Sequence, residues 1–127
     1  MITEEEVKNL RDDYLKAQFA QDVDGCLSYV DEECIWLPSN MPMIEGHEEG
    51  RAFYETWFSQ VKPDTKVYFD EIGVSEKWSF AIGTYESVDT PVDGGEPIHS
   101  KGKYLEIHKR QPDGSLKFYR HMWSEDE

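Results

Sequence analysis

The chain has 127 residues, of which 38% are hydrophobic, 13% aromatic and 31% charged, enough for one folded domain and too apolar for a disordered one. Its formal charge of −14 repels phosphate backbones and anionic headgroups, so neither nucleic acid nor a membrane surface is an expected partner. The start, Met1 to Glu6, lacks the basic and apolar runs of a leader, no stretch nears ~18 apolar residues, and Cys26 and Cys34 lack metal-site spacing. A cytoplasmic location with reduced thiols is the expectation.

Thr3 followed three residues later by Glu6 is a capping box and opens a first helix. Val7, Leu10, Tyr14 and Ala17 then share one stripe. Asp22 starts a short second helix, Asp22 to Val30. Cys34 to Leu37 reads as a strand ended by Pro38, and Ser39 to Glu45 as a loop. Gly46 opens a third helix over His47 to Gln60, with Phe53, Tyr54, Trp57 and Phe58 on its apolar face. The period then changes to two: strands are predicted at Lys66 to Val74, Trp78 to Val88, Ile98 to Arg110 and Ser115 to Glu125. Asp89 to Pro97 reads as an open loop and Gln111 to Gly114 as a turn. Helices first and antiparallel strands after make a single α+β domain over 1–127.

The chain carries, in order, the Ala20-Gln21-Asp22 junction, Tyr29-Val30-Asp31-Glu32 before a strand ending in Pro38, Ile44-Glu45-Gly46 before Arg51-Ala52-Phe53-Tyr54, and a last hairpin from Gly102 to Ser124. This ordered set resembles the nuclear transport factor 2-like superfamily, in its SnoaL-like and ketosteroid-isomerase-like branch. The resemblance implies three helices capping a curved, mostly antiparallel sheet that forms a cone around a pocket (a cystatin-like roll). It also implies, in many relatives, a homodimer through the outer sheet face.

If Gln111 to Gly114 is a four-residue loop, Glu106 sits opposite Tyr119 and Tyr104 opposite His121. One face then carries Tyr104, Glu106, His108, Tyr119, His121 and Trp123. The other carries Leu105, Ile107, Phe118, Arg120 and Met122, whose apolar members one domain leaves uncovered and a second subunit would cover. A three-residue loop with a bulge would break this arrangement.

The ketosteroid-isomerase resemblance places that family's strand acid at Glu106, its first-helix tyrosine at Tyr14 and a pocket tryptophan at Trp123. Its general base falls at Leu37, which takes no proton. His121 and His108 are the candidate replacements. The expectation is a small-molecule pocket with Glu106, His121 and Tyr14 as catalytic candidates. Trp36, Met43, Phe53, Trp57, Tyr104, His108, Tyr119 and Trp123 are its candidate lining. The ligand would be apolar or aromatic, with a carbonyl or hydroxyl, and the chemistry cofactor-free isomerisation, cyclisation or dehydration. The alternative is a non-catalytic dimeric binding or association domain, as in calcium/calmodulin-dependent kinase II. Glu106, His108 and His121 also have the make-up of a two-His-one-carboxylate set, but the resemblance lends it no support and no metal is expected. His47 and His99 are expected to face solvent.

Overall fold

The computed structural model describes residues 1–126; Glu127 of the expected 1–127 domain lies outside them. Helix α1 (Glu4–Phe19) starts at the reciprocal cap the spacing predicts: Thr3 Oγ1 accepts from the Glu6 amide, and the Glu6 carboxylate accepts from the Thr3 amide. Its buried side chains, Val7, Leu10, Arg11, Tyr14 and Gln18, recur at helical period. Asp22 caps α2 (Val23–Ser28) by accepting from the Gly25 amide. Strand β1 (Val30–Leu37) and the two-residue β2 (Ile44–Glu45) lead into α3 (Gly46–Gln60). Four long strands follow: β3 (Val61–Val74), β4 (Trp78–Pro91), β5 (Ile98–Arg110) and β6 (Leu116–Glu125).

The sheet runs β2-β1-β6-β5-β4-β3, antiparallel except for the parallel β1–β6 pair. Three helices on this curved mixed sheet give the expected α+β architecture. Some boundaries differ from the sequence reading. Strand β1 begins at Val30 rather than Cys34, and β3 begins at Val61 rather than Lys66. The extra length of β3 includes Pro63, which is tolerated because β3 is an edge strand. Strand β4 continues through Asp89 to Pro91, where an open loop was expected, because Val61 to Asp64 pair with Val88 to Pro91. His47 is half-buried, not solvent-facing, with Nε2 2.8 Å from the Val30 carbonyl oxygen. His99 is exposed.

The last hairpin differs from the expected register twice. The turn is one residue longer than predicted, so Arg110 pairs with Leu116. An extra residue then bulges from β6: His108 pairs with Phe118, but Ile107 pairs with Arg120, leaving Tyr119 unmatched. Beyond the bulge Glu106 faces His121 and Tyr104 faces Trp123. Phe118 is therefore turned inward and buried, contrary to its expected place on the outer face. Tyr119 is turned outward, contrary to its expected place in the pocket, and packs on Trp78 with its ring 3.8 Å beneath the Arg120 guanidinium carbon.

One end of the cone is plugged. Ile2 is buried with Val7, Ala81 and Tyr104, and its amide donates to the Ser75 carbonyl at 2.9 Å. Further along the concave face two glycines meet two tyrosines across β4 and β5, Gly83 opposite Tyr104 and Tyr85 opposite Gly102. A Cβ on Gly83 would lie 2.8 Å from Tyr104 Oη, and one on Gly102 would lie 2.7 Å from Tyr85 Oη. Each phenol ring thus lies across a bare Cα.

Candidate functional site

Between α1, α3 and the concave sheet face is a cavity of about 300 Å³. That is at the small end of the range for ligand sites, roughly 300–1,000 Å³. Its walls are apolar: Leu15 from α1, Trp36 and Pro38 from and beyond β1, Phe53 and Trp57 from α3, Tyr104 from β5 and Trp123 from β6. Of the expected lining, Trp36, Phe53, Trp57, Tyr104 and Trp123 line this space. Met43 does not. Its neighbour Ile44 points inward and is buried, so alternation turns Met43 out to a groove shared with Leu37, Ile82, Leu105 and Met122. Met41 borders the cavity instead.

Toward the plugged end lies a cluster of ionisable groups. Glu106 is completely buried and is ion-paired with Arg11 from α1, itself buried. The same Arg11 nitrogen, Nη2, lies 3.3 Å from His121 Nε2. A guanidinium only donates, so Nε2 accepts and the His121 proton sits on Nδ1. On its other side the Glu106 carboxylate is 3.1 Å from His108 Nε2, whose Nδ1 is 2.8 Å from Ser79 Oγ. An ionised Glu106 only accepts, so His108 Nε2 carries a proton toward it. Sequence reasoning brought Glu106, His108 and His121 together correctly. His108, however, is sealed behind Glu106 rather than lining the cavity.

Arg11 was missed, although its spacing from Val7 and Tyr14 put it on the buried stripe. Three rings box its guanidinium carbon: Phe118 at 4.8 Å, and Tyr14 and Tyr104 each at 5.5 Å. Its Nε is buried without an acceptor among the described residues.

These contacts set the charge states. Burial alone would raise the Glu106 pKa, but the Arg11 charge and the His108 hydrogen bond outweigh it and hold the carboxyl at about 2. Burial and the Arg11 charge push His121 down to about 3, against the pull of Glu106, so it is neutral at neutral pH. Glu106 is therefore an ionised anchor for Arg11, not a carboxylic acid able to donate.

Tyr14 lines the cavity and its hydroxyl is 2.6 Å from that of Tyr54, which is fully buried. Burial raises the pKa of both, so both remain protonated. Leu37, in the expected base position, faces the outer groove, while Trp36 takes the inward place beside it.

At the open end a second polar group was missed. Gln18 Nε2 donates to Thr65 Oγ1 at 2.8 Å, Thr65 and Ser87 hydroxyls are 2.9 Å apart, and Ser87 Oγ donates to Asp89 Oδ1 at 2.7 Å. Each hydroxyl has one proton to donate; that of Ser87 goes to Asp89, so Thr65 donates to Ser87 and the chain runs toward the carboxylate. All four line the cavity. Burial raises the Asp89 pKa, partly offset by the Ser87 hydrogen bond.

The fold has many counterparts among solved structures. A ketosteroid isomerase-like protein from Erwinia carotovora atroseptica superposes with a TM-score of 0.86 at 19% identity, over 99% of each chain. A nuclear transport factor 2-like superfamily protein from Salmonella enterica serovar Typhimurium superposes with a TM-score of 0.84 at 18% identity, over 97% of this chain and 90% of that one. The chain carries the nuclear transport factor 2-like fold. ActVI-ORFA from Streptomyces coelicolor shares it at a TM-score of 0.76 and 16% identity, over 95% of each chain. No family model and no curated protein matches the sequence. At these identities the nuclear transport factor 2-like likeness is one of architecture, and function rests on the cavity's own residues. No helix among the described residues is long and apolar enough to cross a membrane.

Proposed function

We propose that this protein binds a flat, largely apolar small molecule through an acceptor oxygen on that ligand. The observation that carries the reading is Arg11, a buried guanidinium in the cavity wall held between Glu106 and His121. Glu106 balances its charge, so the wall gains fixed donors without an unpaired cation. His121, through Nδ1–H, and the Tyr14 hydroxyl add to this donor set, and the aromatic walls supply a flat apolar surface. A carbonyl, enol or phenol oxygen matches it. A thermal-shift panel of steroids, polyketide-like phenols and short carboxylates tests the reading. At least one member should raise Tm, and His121→Leu should reduce that shift. No shift with any member at saturation would sink it.

A second reading is cofactor-free proton transfer of the isomerase or lyase kind. It is favoured by the same donors, since groups that bind a carbonyl oxygen also stabilise an enolate. Likeness in fold to a ketosteroid isomerase-like protein and to ActVI-ORFA supports it only at the level of architecture. In this reading His121 gives its Nδ1 proton to the carbonyl oxygen as the enol forms, water entering at the open end takes the α-proton, and Glu106 positions Arg11. Mass spectrometry of a bound ketone in D2O should then show exchange of its α-hydrogens, lost in His121→Leu. Binding without exchange would favour the non-catalytic alternative.

The proposal extends to a homodimer through the outer sheet face. Leu105 and Met122 lie there beside exposed Ile82 and Met43 in one apolar area, and strand alternation puts Ile107 on the same face. Phe118 is excluded because it is turned inward. Sedimentation at micromolar concentration should give twice the chain mass, and a monomer would overturn this part.

A further inference from the structure

The cavity has a second pole, and its chemistry is opposite to the first. At the plugged end it offers donors: Arg11, His121 and Tyr14. At the open end Asp89 lines it and is half-buried, and it makes no ion pair among the described residues. The Ser87 hydroxyl occupies one of its oxygens, Oδ1, and this fixes the carboxylate's orientation. Tyr85, four residues earlier on the same face of β4, has its ring stretched over the bare Cα of Gly102 and also lines the cavity. Glu125 lines the same end from β6. Burial raises the Tyr85 pKa, and the negative charges of Glu125, Asp126 and Asp89 raise it further. Arg11 is the only Lys or Arg among the lining residues, and it is at the other pole.

We propose that Asp89, with the Tyr85 ring and Glu125, selects a ligand whose far end is a protonated amine. The inference rests on the small-molecule reading above and narrows its ligand class to an aromatic body with an acceptor oxygen at one end and an ammonium at the other. An ammonium satisfies three features of this end together. It donates to the oriented Asp89 carboxylate, it meets the electron-rich face of Tyr85, and it is drawn by the chain's charge of −14. A carboxylate at the same place would meet Asp89 and Glu125 with no cation to offset them. A neutral end would leave the Asp89 charge half-desolvated with one oxygen unpaired.

Three probes with the same phenol end separate these cases: tyramine, 4-ethylphenol and 3-(4-hydroxyphenyl)propionate, titrated by calorimetry at low salt. Tyramine should bind roughly tenfold tighter than 4-ethylphenol, and the propionate more weakly than either. Added salt should narrow the gap. Asp89→Asn, which keeps the shape and the Ser87 contact, should reduce the tyramine advantage to roughly twofold. Glu125→Gln, at an exposed position, should reduce it less. Equal affinity for the three probes, or an advantage untouched in Asp89→Asn, overturns the assignment while leaving the small-molecule reading in place. Binding of none of them at about 10 mM overturns both.

Discussion

Arg11 and Glu106, 95 residues apart in sequence, form an ion pair in which neither side chain is more than 4% exposed. The pair ties helix α1 to the middle of strand β5 and fixes where the cavity's donors stand. Removing one partner leaves the other charged in a place without water. Arg11→Met should therefore destabilise the fold by about 3–5 kcal/mol in urea unfolding, and Glu106→Leu by a similar amount. The double variant should lose much less than the sum of the two. Additive losses would mean that the pair is not coupled.

The same cluster makes stability fall in acid in two stages. His121 is held at about 3, below its ordinary 6.5, so its contribution is complete above pH 6.5 and declines as pH drops toward 3. Glu106 is held at about 2, below its ordinary 4.5, so its contribution is complete above pH 4.5 and is lost as pH falls through 2. In both windows the unfolded chain binds more protons than the folded one, so both slopes have the same sign. Unfolding measured from pH 8 to pH 3 should show stability beginning to decline below about pH 6.5. His121→Gln should remove that upper stage and leave the decline below about pH 4.5. An unchanged upper stage would assign it to another group.

The Tyr14–Tyr54 hydroxyl pair gives a third expectation. Tyr14→Phe leaves the Tyr54 hydroxyl, fully buried, without its partner. The loss should be about 1–3 kcal/mol, and Phe at both positions should recover most of it. If the double variant is as unstable as the single one, the hydroxyl contact is not what matters there.

Gly102 is the fourth. A Cβ there meets Tyr85 and the Ser124 backbone, and only the tyrosine can swing away. Gly102→Ala should destabilise by about 1–3 kcal/mol, with no full rescue by Tyr85→Ala. Full rescue would show that the backbone contact yields easily.

Much of the fold is legible in the sequence because its signals are local. The Thr3 and Glu6 cap, the Asp22 cap and the period-two strands each show within a few residues. The site is legible in part, and the hairpin shows why. The predicted pairing has one residue too few in the turn and none in the bulge. Each offset alone would turn the strand over. Together they restore the facing of His121 and Trp123 beyond the bulge. Leu116 to Tyr119, between the two offsets, exchange sides, and among them are Phe118 and Tyr119, the two whose expected faces are reversed. Neither offset has a cue in the sequence beyond the turn's own Pro and Gly. Arg11 was overlooked because a charge on an apolar stripe reads as solvent-facing, although burial is possible when a distant carboxylate waits opposite. Asp89 was read as loop because Asp, Thr, Pro and Gly dominate its surroundings. Its strand character comes from pairing with Pro63, which no local pattern announces.

The crossed Tyr104–Gly83 and Tyr85–Gly102 pairs separate the shape of the chamber from the integrity of the sheet. Its bottom is furnished by two rings resting on glycine main chain; the Tyr104 ring is also tied to the sheet, because its hydroxyl donates to the Tyr68 carbonyl of β3 at 3.1 Å. Trimming the Tyr85 ring would deepen the chamber down to the backbone without unpicking a strand. A scaffold made this way can be refitted to a different guest by changing one aromatic residue at a time.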